Sequence, residues 1–336
     1  MADSLTVLIC THNRADLLER ALASINAARR PAMPVQILVA ANACTDDTVG
    51  RMRIYQEQQA ERGWIPLLVI EVPTPGKSHA LNCAIPAIGT ELTAFVDDDH
   101  RVDENYLVAI EQAANAWPDA GLYCGRILPD WDGTEPEWVH DEGPYRIYPL
   151  PVPRYDQGDE AKTITSDKGP IPGGGNLVVR RAVFELAGQF STELGPHGHD
   201  LGGGEDSEYV LRAMTRGVRC QYVPGMLQHH YVDTERLRLG YLLKKSYQRT
   251  RSTSRIHGSG SVPLYMWRKL TEYVFHSLFS LSWARRRFFC MRTAAALGEI
   301  QGRRESGHRK KKLALPPDQG MVAVQLLAPV TVACGL

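Results

Sequence analysis

No stretch of about 18 uninterrupted apolar residues occurs in this chain of 336 residues, so no helix is expected to span a bilayer. The amino terminus has no basic flank followed by an apolar run, and no secretory leader is expected. Cysteine is sparse: seven residues, scattered, with no Cys-x-x-Cys pair, which argues for a reducing, cytoplasmic compartment and against structural zinc. Two glycine signatures are also missing. There is no Gly-x-Gly-x-x-Gly after the first strand pattern and no Gly-x-x-x-x-Gly-Lys-Ser/Thr, which disfavours a dinucleotide dehydrogenase and a P-loop NTPase. No internal repeat is visible.

Net charge is likewise absent, but only as a sum. Residues 1–235 hold 19 Lys/Arg against 34 Asp/Glu, whereas residues 236–312 hold 19 against 3, so an acidic body precedes a basic arm. The expected organisation is a catalytic domain over 1–235, a basic helical region over 236–312 and a tail of unknown structure over 313–336.

What is present is an alternation of apolar strands and helices. Leu5 to Cys10, Val35 to Ala40, Leu67 to Val72 and Leu92 to Val96 read as buried strands. Helices are expected over 15–29, from about 48 to 62, and through Leu81 and Ile85. Such an alternation implies right-handed crossovers, a mostly parallel sheet and ligands at the carboxyl ends of the strands. Another strand is expected over Gly121 to Ile127, then an irregular, aromatic stretch over 129–170 read as a binding loop or mobile segment. The Gly202-Gly203-Gly204 run is expected to precede a helix through Leu211 and Met214.

The fourth strand runs straight into Asp97-Asp98-Asp99. Three carboxylates at the end of a buried strand repel one another and have lost water, so they need a cation. Oxygen ligands of this kind suit Mg²⁺ or Mn²⁺ together with the phosphates of a nucleotide. The bland alternative is that the acids cap a helix starting near Asp103. Glu205-Asp206, at an expected helix start, is the second acidic centre; a carboxylate fixed there suits a general base, and an ordinary acidic helix start is the alternative. His229-His230 follow the strand pattern Cys220 to Val223, and because they face opposite sides of an extended segment, one of the two is expected to reach a metal. Lys77 is placed to meet a phosphate, and Asn13, Arg14 and Asn42 lie where a base and ribose would sit.

Five ordered segments carry a resemblance: Leu8-Ile9-Cys10-Thr11-His12-Asn13-Arg14, Asn42-Ala43-Cys44-Thr45-Asp46-Asp47-Thr48, Gly76-Lys77-Ser78-His79-Ala80-Leu81-Asn82, Phe95-Val96-Asp97-Asp98-Asp99 and Gly203-Gly204-Glu205-Asp206. Together they resemble the family 2 glycosyltransferases over about residues 5–235. The resemblance implies an α/β GT-A fold, a nucleotide-sugar donor, a divalent metal (Mn²⁺ or Mg²⁺) and inverting transfer to an acceptor hydroxyl. By position it implies that Thr11, Asn13, Arg14 and Asn42 contact the nucleoside, with Asp46 supporting that pocket. Lys77 and Asn82 would lie near the diphosphate or ribose. Asp97 and Asp99 would form the Asp-x-Asp pair, with Asp98 on the donor side between them. Asp206 would be the base, seated by Glu205, and His229 or His230 would complete the metal site. Ala41 stands where many members carry an acid that reads uracil, so the implied donor is a nucleotide sugar in general, with a UDP-sugar favoured.

The basic arm mixes Arg and Lys with Trp, Phe, Tyr and Leu at helical spacing. Helices on an anionic membrane surface are expected in preference to nucleic-acid binding, which would suit a glycan or lipid-linked acceptor on the cytoplasmic face. A helical appendage with solvated charges is the bland alternative. For the whole chain, a sugar nucleotidyltransferase and a non-catalytic sugar-binding or scaffolding relative are the competing classes.

Overall fold

The computed structural model describes residues 2–147, 152–165, 170–192, 205–257 and 261–313. By their contacts they form two units: Met1–Pro136 with Tyr148–Thr234, and Glu137–Ile147 with Glu235–Leu336.

The first unit is a sheet between two helical layers. Strands β1 (Leu5–Thr11), β2 (Val35–Asn42), β3 (Leu67–Val72) and β4 (Leu92–Val96) are mutually parallel in the order β3-β2-β1-β4, as the alternation of apolar runs requires. Side chains alternate across the pleat. Val7 and Ile9 point into the cluster formed with Leu18, Leu22 and Ile25 of α1 (Ala15–Ala27), Met52 and Tyr55 of α2 (Thr48–Gln58), and Leu107 and Ile110 of α4 (Tyr106–Ala116). Leu8, Leu38 and Phe95 point the other way, onto Leu81 of α3 (Lys77–Ala84), Val183 of α5 (Arg181–Ala187) and Tyr209 and Val210 of α6 (Glu205–Thr215). The helix expected to reach residue 62 stops at Gln58, and residues 60–63 turn back toward β3.

Beyond β4 the sheet changes direction. β8 (Asn176–Arg180) is antiparallel to β4, with Asn176 opposite Val96, and antiparallel to β6 (Ala120–Asp130). β9 (Arg219–Tyr231) runs parallel to β6 and also pairs with two short antiparallel strands, β5 (His100–Val102) and β7 (Lys162–Ile164). The acid triplet therefore does not cap a helix near Asp103: β5 intervenes, and α4 begins at Tyr106. The two histidines expected after a short strand lie inside the thirteen-residue β9.

The second unit holds α7 (Leu239–His257), α8 (Leu264–Phe279) and α9 (Trp283–Leu313), with α9 packed against both others. Part of the stretch expected to be a binding loop belongs here. Arg287 of α9 donates to Asp141 at 2.6 Å and lies 4.7 Å from the Trp138 ring, and Tyr145 packs edge-on against Phe288. No helix of the described residues is long and apolar enough to cross a membrane. The Gly202-Gly203-Gly204 run and residues 314–336 of the tail lie outside the described residues.

Candidate active site

Because β1, β2, β3 and β4 are parallel, the turns after all four open on one sheet edge. The turn after β1 is clipped to the turn after β2 by Asn13, whose φ of 54° aims its amide oxygen at the Thr45 and Asp46 amides, 2.7 and 3.2 Å away. Asp46 in turn accepts from the Thr48 hydroxyl and amide, which anchors the start of α2. Asn42 is buried. It donates to the Thr74 carbonyl at 2.7 Å and accepts from the Gly76 amide at 2.8 Å, so its amide holds the loop carrying Lys77. Asn82 makes a two-bond clasp on the Phe190 backbone, both at 2.9 Å. These four residues hold the loops at this sheet edge, and the side chains of Asn42 and Asn82 are taken up by backbone.

The acids are partnered individually. Asp98 is buried and accepts from the Thr11 hydroxyl at 2.8 Å and from Arg14 at 2.9 Å. Arg14 also reaches Asp99 at 3.1 Å. Burial, then the Asp99 charge, pushes the Asp98 carboxyl up to about 6 in spite of Arg14 and Thr11. Asp97 accepts from Lys77 at 2.8 Å. Burial works to raise the Asp97 carboxyl, but Lys77 and then His100 hold it well below the usual carboxylate range. Lys77 lies 3.9 Å from Asp206. Burial alone would lower the lysine, yet Asp97 and Asp206 raise it well above its ordinary value, so it stays charged.

Asp206 and Glu205 open α6. Glu205 is buried, one of its carboxylate oxygens has no partner among the described residues, and burial followed by the neighbouring Asp206 raises its pKa. Opposite them, the turn entering β8 carries Gly174 and Gly175. A Cβ on Gly174 would lie 2.4 Å from the Asp206 carboxylate, and one on Gly175 would lie 2.8 Å from both Asp97 and His100. Only residues without a side chain let the backbone pass here.

One set of possible metal ligands occurs among the described residues. Asp99, His100 and His230 each offer one atom, all within 4.8 Å of one another. The pairing of β5 with β9 places His100 directly opposite His230, so both rings share a face. Each ring is oriented through Nδ1. That of His230 donates to the Tyr231 carbonyl at 2.6 Å, and that of His100 to Gln228 Oε1 at 2.6 Å. Gln228 is fixed in turn by donating to the Tyr106 hydroxyl at 2.7 Å, and Tyr106 donates to Asn176. Both Nε2 lone pairs are left toward Asp99, the arrangement that metal-binding histidines use. Burial lowers the His230 pKa and keeps the ring neutral, as a ligand must be. A hard carboxylate with two oriented imidazoles fits a divalent ion.

The expected metal set was Asp97, Asp99, His229 and His230. The structure brings Asp99 and His230 together with His100, which the sequence reading left without a role. His229 points to the other face of β9, beside Arg101, Asp130 and Tyr231. Asp97 is engaged by Lys77.

This sheet order, with the strand-end acids facing a carboxylate at the start of α6, is the GT-A arrangement, and the sequence profile described as Glycosyl transferase family 2 matches residues 6–186. The chain belongs to that family. It is a glycosyltransferase in its fold and its motifs. It is 24% identical over 251 residues to the succinoglycan biosynthesis protein ExoM of Rhizobium meliloti (strain 1021), a match covering 74% of this chain and 73% of that protein. Among solved structures it resembles residues 1–349 of TarS from S. aureus in complex with UDP, with TM-score 0.53, 16% identity and 92% of each chain covered. The same fragment has been solved with UDP-GlcNAc. The chain spans 44% of a longer TarS chain that it also matches.

Proposed function

We propose that the protein transfers a sugar, with inversion, from a nucleotide-sugar donor, UDP-linked by preference, to a hydroxyl of a glycan or lipid-linked acceptor during polysaccharide assembly at the cytoplasmic face of the membrane. One observation carries the reading: Lys77 stands between the strand-end acid Asp97 and the helix-start acid Asp206, at 2.8 and 3.9 Å, so the charge for a diphosphate and the base for a hydroxyl share one edge. The relatives agree in kind, since ExoM is named for polysaccharide synthesis and TarS for its UDP and UDP-GlcNAc complexes.

In this reading the turns carrying Thr11, Asn13 and Asp46 shape the nucleoside end, and Arg14 and Lys77 face the phosphates. A divalent ion held by Asp99, His100 and His230 would supply positive charge for the departing diphosphate. Asp206 takes the proton of the acceptor hydroxyl as that oxygen attacks the anomeric carbon from the face away from the nucleotide. Burial, then the neighbouring Asp206, raises the Glu205 pKa, so a second negative charge beside Asp206 is disfavoured. Lys77, held between both acids, keeps its positive charge at this edge, which preorganises the site for charge on the leaving group.

The test is donor turnover and binding across a panel of nucleotide sugars with Mn²⁺. Asp206→Asn should bind the preferred donor as tightly as the wild type and lose about 100- to 10,000-fold in turnover. Loss of donor affinity with turnover per bound complex intact would remove Asp206 from the role of base.

A further inference from the structure

The basic arm does not present its charge evenly. Arg251 is held by Glu305 at 2.7 Å, Arg287 is buried against Asp141 and Trp138, and Arg285 lies over the Tyr145 ring. These cations stabilise the helical unit. What remains outward is one hairpin, α8 and the turn into α9. The only residue of α8 that is fully buried is Met266. Leu264 is 87% exposed, Phe279 67%, Leu281 entirely and Trp283 60%, with Phe275 and Leu278 also exposed between them. Isolated exposed apolar residues are ordinary, but a row of leucines and aromatics on one helix and its turn is not.

The turn is built to stay presented. Arg286 donates to the Leu278 carbonyl at 2.7 Å and to the Ser277 carbonyl at 3.2 Å, capping the end of α8 and fixing the Ser280-Leu281-Ser282 corner. Arg268, Lys269 and Arg292 lie exposed on the same hairpin, and residues 261–298 contain six Lys/Arg against the single acid Glu272.

We infer that the α8–α9 hairpin is a bilayer-docking surface whose occupant is an anionic phospholipid interface, with Leu281 and Trp283 at its leading edge. Apolar and aromatic side chains enter the headgroup–acyl boundary while flanking cations meet lipid phosphates. Charge complementarity selects this occupant. A second copy would bring the four exposed cations Arg268, Lys269, Arg286 and Arg292 against the same four, whereas an anionic leaflet neutralises them. The surface lies on the membrane rather than across it, since α8 has only 16 residues. It would give a lipid-linked acceptor a reason to meet this enzyme, and so rests on that part of the proposed function, though docking can be measured without donor or acceptor.

The experiment is flotation of the full-length chain with vesicles of phosphatidylglycerol and phosphatidylcholine, compared with pure phosphatidylcholine, alongside solution mass by light scattering. The wild type should partition at least ten-fold more strongly to the anionic vesicles, and less as salt rises. Leu281→Asp should lose at least ten-fold while keeping the wild-type donor-induced thermal shift, because Leu281 touches nothing that folds the chain. Asp206→Asn should float as the wild type does, which separates docking from catalysis. Wild-type partition by Leu281→Asp, no partition by the wild type, or conversion of a wild-type dimer to a monomer by the substitution would each overturn the inference. The last outcome would make the hairpin a contact between copies.

Discussion

Asp98 offers a test of the site's electrostatics that needs no substrate. It is 5% exposed, adjoins Asp99, and has a carboxyl pushed from 3.8 to about 6 by burial and then by Asp99. A pKa raised in the folded state favours the protonated form there. The stability this group contributes is fully present below its unfolded value and is lost as pH rises through about 6. Two units of difference correspond to roughly 3 kcal/mol. In chelator, Asp98→Asn should therefore be more stable than the wild type by about 2–3 kcal/mol at pH 8, with the gain vanishing toward pH 4. The amide preserves the local bonds, since its oxygen still accepts from Arg14 and its NH₂ can donate to the Thr11 hydroxyl. For a unit of this size the gain is worth roughly 5–10 °C in Tm. Glu205 shifts in the same direction but is common to both proteins, and Asp97, shifted downward, titrates below this window. The assay is Tm against pH from 4 to 8 in EDTA. Saturating Mn²⁺ should narrow the gap, because a cation on Asp99 removes part of the cost of ionised Asp98. A variant less stable than the wild type at pH 8, or a difference that does not change with pH, would refute the reasoning.

Three further outcomes follow from the geometry. Calorimetric titration with Mn²⁺ should show His100→Ala and His230→Ala weakened more than about 100-fold and His229→Ala little changed, since His229 faces away from the other ligands. Gln228→Leu, which frees the His100 ring to rotate without touching the ion, should cost about 10- to 100-fold in the same titration, and an unchanged affinity would deny it the orienting role. Gly175→Ala drives a methyl into Asp97 and His100 and should reduce metal and donor binding together, whereas Gly174→Ala meets the Asp206 carboxylate and should depress kcat more than donor affinity in steady-state assays.

Much of the parallel sheet edge is legible in the sequence because local rules fix it. A buried parallel strand is a short apolar run, its carboxyl end is where polarity returns, and four such runs place Thr11, Asn42, Lys77 and Asp97 on one edge without knowledge of any contact. What the sequence does not reveal is where a side-chain amide points. Asn42 and Asn82 belong to the right motifs, but an Asn at a strand end can face a ligand or satisfy a loop's backbone, and here both bind backbone. His100 was missed for a different reason. Its neighbour in the triplet draws the eye, while its ring direction is set by β9, about 130 residues away. The one available signal is the alternation of β9, which puts Gln228 and His230 on one face and His229 on the other. Trp138 and Tyr145 look like a binding loop by composition and instead pack, half-buried, on Arg287 and Phe288 of α9, since aromatic content alone does not say which surface an insertion covers.

The antiparallel strand β8 is what turns a sheet edge into a two-sided site. A fifth parallel strand next to β4 would have ended where β4 ends and opened the same edge again. Running the other way, β8 begins opposite Val96, so the turn that enters it must lie against the acid triplet, and the helix-start acids can stand across from it. That placement demands a residue able to hold three elements at once. Asn176 accepts from the Tyr106 hydroxyl and donates to the Arg126 and Met226 carbonyls at 2.7 and 2.8 Å, which uses acceptor and donors in directions neither Asp nor Leu could satisfy. Tyr106 passes the same chain to Gln228 and then to His100. The β4–β8 junction that brings Asp206 to the acids is thus the junction that orients the His100 imidazole of the candidate metal site, and a change to either end of the chain must be felt at the other.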